Sequence, residues 1–335
     1  LLKKLSTDRD SEVRQAVVKS LASFPPKTAL PLLEKLSTDR SYDVRITVAE
    51  SLVSFPPEAV LPLLEKLSND PDWQVRQAVV QTLSSFPPES AISLLKKITA
   101  YTCWDVCFSV AKSLASFPPE TALPLLEKLS TNPEWVVRKA AAESLASFPA
   151  EKTLPLLEKL STDLHPSVRE AVAKSLASFH SKKAFSLLEN LSADLSQYVR
   201  SAAACSLSSF PSEIALPLLE KLSSDPSKNV RLATIKALTR FPPEKALPIL
   251  EKLSTDHDSD VRFTTTQALA SFPAEKALPL LEKLSNDPHR QVRCAVANSL
   301  ASFPAEKALP LLEKLSNDSH RQVRCAVAEL LANFP

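Results

Sequence analysis

Apolar residues recur along this chain at helical spacing, in pairs of short stripes separated by polar breaks. Ala29, Leu32, Leu33 and Leu36 stand at i, i+3, i+4 and i+7, while Glu34 and Lys35 point away from that stripe, which predicts an amphipathic helix. Ser37-Thr38-Asp39 breaks it. Val44, Val48, Leu52 and Phe55 then form a second stripe, predicting a second helix that starts near Ser41. Pro56-Pro57 ends this helix, because neither ring donates an N–H and the residue before a proline avoids the α region. The second proline suits the first position of the following helix. Asp70-Pro71 and Asp225-Pro226 read in the same way, as N-cap plus first-position pairs. Pro31 and its equivalents fall inside the first helix, where a kink or a late start is expected.

The two-helix unit repeats every 31 residues. A Val-Arg arginine marks the period at Arg14, Arg45, Arg76, Arg138, Arg169, Arg200, Arg231, Arg262, Arg293 and Arg324, with Cys107 in the one gap. A phenylalanine keeps the same period from Phe24 and Phe55 through Phe303 to Phe334, with no insertion or deletion. A hairpin of this size cannot bury its apolar face alone; stacked on its neighbours it can. The expected fold is therefore all-α, an α-solenoid of about eleven two-helix repeats, with residues 1–335 as one continuous array. The chain starts at Leu1 and neither terminal repeat carries a polar cap. We therefore expect a piece of a longer chain, or ends that are covered by other domains or stack on one another in self-association.

The unit Ala29-Leu30-Pro31-Leu32-Leu33-Glu34-Lys35-Leu36, with Asp39 and Val44-Arg45 after it, resembles the HEAT-like repeats of the phycobilin-lyase type, and the resemblance covers the whole chain. It departs from that family in closing the second helix with Ser54-Phe55-Pro56-Pro57 instead of a glycine-containing turn. Artificial binders built on that family share the pattern, so a natural array fragment and a consensus-like design both stay open; the irregular fourth and sixth repeats look like natural drift. The resemblance also implies an Asp–Arg ladder, as in Asp39 with Arg45 and Asp70 with Arg76. In it the aspartate caps the second helix and the arginine bonds the aspartate of a neighbouring repeat. Where the arginine becomes Cys107, the aspartate of that repeat becomes Tyr101; Asn132 replaces the aspartate once with its arginine kept.

Composition narrows the function. Net charge is +2, which argues against nucleic acid as the partner. No apolar run approaches the roughly 18 residues that span a membrane. Five cysteines without a regular framework favour a reducing, cytoplasmic setting. The chain has no glycine, which excludes the phosphate loops that require it. The five histidines (His165, His180, His257, His289 and His320) make no metal-binding or His-Glu motif. Cys103 and Cys107 lie four apart on one helix without a second ligand pair, so no metal or cofactor is expected. Cys294 and Cys325 share one repeat position and read as surface or groove thiols.

Variation between repeats points to a recognition face. With the Val-Arg valine of each second helix as position zero, positions 0, 4, 8 and 11 are nearly constant and apolar, hence core. Positions −2, +2 and +6 vary and share one helix face. Tyr42, Trp73, Trp104 and Trp135 stand at −2 in four consecutive repeats. Ile46, Gln77, Phe108 and Lys139 follow at +2, as do Leu232 and Phe263 later on, while Lys228, Arg290 and Arg321 give the −2 column a more basic stretch. Aromatics anchor interfaces, so these residues are the expected contact surface of a non-enzymatic protein-interaction scaffold. The competing structural reading is that the rings start a helix and pack on the next repeat. The family resemblance implies an enzymatic alternative, a bilin lyase or its chaperone-like subunit. A sensor array within a larger signalling protein is the third.

Overall fold

A computed structural model describes residues 1–100 and 104–332. Tyr101, Cys103 and Phe334 lie outside the described residues. Every regular element among the described residues is helical, and they form an α-solenoid of stacked hairpins in two compact units, Leu1–Ser175 and Leu176–Pro335. The first unit runs α1 (Leu2–Leu5), α2 (Ser11–Leu21), α3 (Pro26–Leu36), α4 (Tyr42–Ser51), α5 (Pro57–Leu67), α6 (Trp73–Ser84), α7 (Pro88–Ile98), α8 (Trp104–Ser113), α9 (Pro119–Leu129), α10 (Trp135–Leu145), α11 (Ala150–Leu160) and α12 (Pro166–Leu176). The second runs α13 (Lys182–Leu191), α14 (Gln197–Ser206), α15 (Ser212–Leu222), α16 (Lys228–Leu238), α17 (Pro243–Leu253), α18 (Ser259–Leu269), α19 (Ala274–Leu284), α20 (Arg290–Ser299), α21 (Ala305–Ser316) and α22 (Arg321–Leu331).

Local chemistry accounts for most helix ends. α5 starts at Pro57, with Pro56 extended before it, as the double proline implies. The expectations of a late start at Pro31 and of N-caps at Asp70 and Asp225 are corrected. α3 begins at Pro26 and continues through Pro31, so there is no late start; the proline ring is exposed on the outer face. Asp70 and Asp225 are not N-caps. α6 is capped by Asp72, which accepts the Gln74 N–H, and α16 has Ser227 at its N-cap. Asp70 and Asp225 stand two residues earlier, where each accepts one backbone N–H, from Asp72 and from Ser227.

The second helices stack side by side: α2 on α4, α4 on α6, α6 on α8 and α8 on α10 in the first unit, and α14 on α16, α16 on α18, α18 on α20 and α20 on α22 in the second. Their core is wider than the four positions expected. Position +5, occupied by Ala49, Val80, Ala111 and Ala142, is also buried, as is most of position +3. Small residues there let neighbouring second helices approach closely. Position +7 adds a buried bond: Thr82 Oγ1 donates to the Ala49 carbonyl at 2.9 Å, Ser144 to Ala111 at 2.7 Å and Ser175 to Ala142 at 2.9 Å. The register of one second helix on the next is thus set by packing and by directional bonds.

The Asp–Arg ladder runs between repeats. Arg14 donates from Nε and Nη2 to both oxygens of Asp39, at 2.7 and 2.8 Å. Arg45 with Asp70, Arg138 with Asp163, Arg200 with Asp225, Arg231 with Asp256, Arg262 with Asp287 and Arg293 with Asp318 repeat this contact. The same arginine donates from Nη1 to the backbone carbonyl of its own repeat's ladder residue, as Arg45 does to Asp39 and Arg231 to Asp225. Each guanidinium therefore ties the loop of its own repeat to the carboxylate of the next. Burial alone would raise the Asp39 carboxyl, but Arg14 and the Ser41 N–H outweigh it and hold it below the ordinary carboxylate range.

This pairing explains the break in the ladder. The partner of position 107 is position 132, one ladder step of 25 residues on, as in Arg138 with Asp163. Where the cation is lost at Cys107, the anion is lost at Asn132, so neither charge is stranded. Arg76, whose regular partner position is Tyr101, bonds Asp105 instead at 2.6 Å, and its buried Nε finds no partner among the described residues.

Candidate partner-binding surface

Position −2 starts each second helix, and several of its side chains reach the next repeat. In the second unit three −2 residues make that contact. Gln197 bonds Ser227 and Asn229. The Lys228 ammonium sits 2.7 Å from Asp260 and 3.7 Å from Asp258. Arg290 Nε donates to Gln322 at 3.0 Å. Gln197 and Lys228 thus meet positions −3 and −1 of the following repeat, and Arg290 meets position −1. The basic stretch expected there is therefore partly neutralised: the Asp260 hydrogen bond, then the Asp258 and Asp260 charges, raise the Lys228 pKa. Arg321 is exposed. Leu232 is half-buried, and Phe263 lines a recess of about 350 Å³ with Asp260, Gln291, Cys294, Ala295 and Asn298. Cys294 is half-buried there, and burial foremost, then Asp318, pushes its thiol up.

The first unit treats its aromatic −2 residues differently. Trp135 packs on the next repeat: its ring stacks on His165 with centroids 4.0 Å apart and planes 10° from parallel. That is the structural reading of the aromatic ladder, and it holds at this ring. Lys139 reaches Glu143 at 3.9 Å on its own helix. Trp73 and Trp104 are 54% and 53% exposed, against 36% for Trp135. They flank a recess of about 280 Å³ completed by Gln77, Asp105, Phe108 and Ser109. Four of the residues singled out from the sequence meet here: Trp73, Gln77, Trp104 and Phe108. Tyr42 is exposed and Ile46 half-buried on the preceding second helix.

Sequence reasoning passed over Asp105 and Ser109, at positions −1 and +3, and His165 at −3. The missed signal is that −2 columns interact with −1 and −3 of the following repeat, so all three vary together. Among the described residues no group of three His, Cys, Asp or Glu side chains could hold a metal, and no helix is long and apolar enough to cross a membrane.

The comparisons with known proteins bear on the fold. A family profile of HEAT repeats matches residues 1–69, 60–146, 124–208, 153–227, 214–292 and 279–335. No curated protein matches the chain in sequence. Among solved structures, the karyopherin Kap121p bound to Ste12p shares 16% identity over 98% of this chain, with a TM-score of 0.65. Kap121p bound to Nup53p shares 17%, also over 98% of this chain, with a TM-score of 0.62. In both cases the chain spans 44% of the Kap121p chain. An engineered protein shares 22% identity over 99% of this chain and 97% of its own, with a TM-score of 0.39.

Proposed function

Because the chain belongs to the HEAT-repeat family, we propose that it is a non-enzymatic, cytoplasmic scaffold that binds a protein partner along the second helices of its first unit. Trp73 and Trp104 are the anchors. The carrying observation is their exposure: two large rings with more than half of their surface in solvent flank one recess, whereas Trp135, Gln197, Lys228 and Arg290 at the same position contact the next repeat. Burying such rings is what dominates interface energetics. The Kap121p structures with bound Ste12p and Nup53p support the reading by fold alone. The bilin-lyase and sensor-array alternatives rest on the repeat pattern alone.

The test is selection of a displayed random-peptide library on the full chain, counter-screened on Trp73→Ala/Trp104→Ala. Binders that lose at least about tenfold in affinity on the double variant, with circular dichroism unchanged, are expected. Binders indifferent to both rings would move the interface elsewhere.

A further inference from the structure

We infer that the Trp73–Trp104 recess receives the guanidinium of an arginine in the partner's peptide segment. This rests on the proposed interface and names the chemistry that fills it. Adjacent helix axes lie about 8–10 Å apart, and one planar group between two rings needs about 3.5–4 Å on either side. The space between Trp73 and Trp104 is thus suited to one flat side chain. The chain itself supplies two precedents at the equivalent place in other repeats. His165 lays a planar ring on Trp135 at 4.0 Å. Asp260, the −1 counterpart of Asp105, holds the ammonium of Lys228. At Trp73 and Trp104 the aromatic faces and the −1 carboxylate occur together, in the wall of one recess.

Charge points the same way. Arg14, Arg45 and Arg76 are each matched by an aspartate. With those pairs set aside, α2, α4, α6 and their N-caps carry Asp10, Glu12, Asp43, Glu50 and Asp72 against Lys19 alone. Asp105 gives one oxygen to Arg76, and a carboxylate has acceptor capacity for more than one donor. Arginine is favoured over lysine because its planar, weakly hydrated guanidinium stacks on aromatic faces while donating in its plane.

The experiment uses the full chain carrying Trp135→Phe, so that Trp73 and Trp104 alone report by fluorescence. The probe is a short blocked peptide with one arginine among alanines, beside matched peptides with citrulline or norleucine in its place. Saturable quenching by the arginine peptide is expected, at least about fivefold weaker for citrulline and weaker again in high salt. Trp73→Leu and Trp104→Leu should each weaken it about threefold or more, with unchanged circular dichroism as the folding control and Trp73→Phe as partial rescue. Equal or tighter binding of the norleucine peptide overturns the arginine assignment and leaves the interface standing. No saturable binding of the arginine peptide, while library binders still depend on both tryptophans, also overturns this inference alone. Failure of both experiments overturns the two readings together.

Discussion

The ladder can be tested at Arg231 and Asp256, whose side chains are 4% and 8% exposed. Arg231 reaches both Asp256 oxygens, at 2.7 and 2.9 Å. Asp256→Asn keeps an acceptor for the Asp258 N–H, which Asp256 Oδ1 now accepts at 2.8 Å. It removes the counter-charge of a buried guanidinium and turns an amide donor toward a donor. Stranding a buried charge costs about 3–5 kcal/mol. The Nη1 bonds to the Asp225 and Pro226 carbonyls survive, which sets the expected loss near about 3 kcal/mol. Arg231→Cys strands the carboxylate at a comparable cost. The double variant copies the neutral pair that the chain already carries at Cys107 and Asn132, so its loss should fall short of the sum of the singles by at least about 2 kcal/mol. Unfolding of a repeat array is not two-state. The assay is therefore hydrogen exchange of α16 and α18 peptides, which reports local opening free energies. A single-variant loss under about 1 kcal/mol, or singles that add within about 0.5 kcal/mol, would refute the coupling.

Acid should melt the array through the same pairs. Arg293 foremost holds the Asp318 carboxyl low, and Asp39 and Asp163 are held low by Arg14 and Arg138 against their burial. A depressed folded pKa gives stability that is complete above the unfolded value of about 3.9 and lost as pH falls through the folded one. The melting temperature should stay level from neutrality to about pH 5 and drop below about pH 4; a fall centred near pH 6 would implicate the histidines instead. Trp135→Ala should cost about 1 kcal/mol or more in stability through the lost His165 stack, whereas Trp73→Ala and Trp104→Ala should each cost less; the reverse order in thermal melts would make the exposed rings the packing residues. Pro124→Ala, at an exposed position inside α9, restores a helical N–H and should raise the melting temperature, and a fall would show that the proline's restriction of the unfolded chain dominates.

The fold was legible because the chain repeats. A stripe such as Ala29, Leu32, Leu33 and Leu36 seen once is one amphipathic helix; kept in register against Phe55, Phe86 and Phe117 it dictates stacking. Helix ends were less legible. Asp70-Pro71 has the chemistry of a cap and first turn, but the Arg45 guanidinium claims the Asp70 carboxylate, and Asp72 next to it caps equally well. Pro31 reads as a kink or a late start, and the late start is ruled out: burial of Ala29, Leu33 and Leu36 on one face carries α3 through it. Both errors have one cause: contacts between repeats outweigh local preference, and a single hairpin does not display them.

The same cause limits what variation says about recognition. Position −2 varies among repeats, which suggested a free surface. Part of that variation is paired: Lys228 with Asp258 and Asp260, Gln197 with Ser227 and Asn229, Arg290 with Gln322, Trp135 with His165. Cys107 and Asn132 follow the same rule inside the ladder. A repeat array tolerates change at an interface between repeats when both sides change together, so variability alone marks coupled positions as readily as exposed ones. The better criterion is variation that leaves surface uncovered. By that measure Trp73 and Trp104, with Tyr42 beside them, are the uncovered aromatics of the −2 column, whereas Trp135, Gln197, Lys228 and Arg290 are means by which one second helix holds the next.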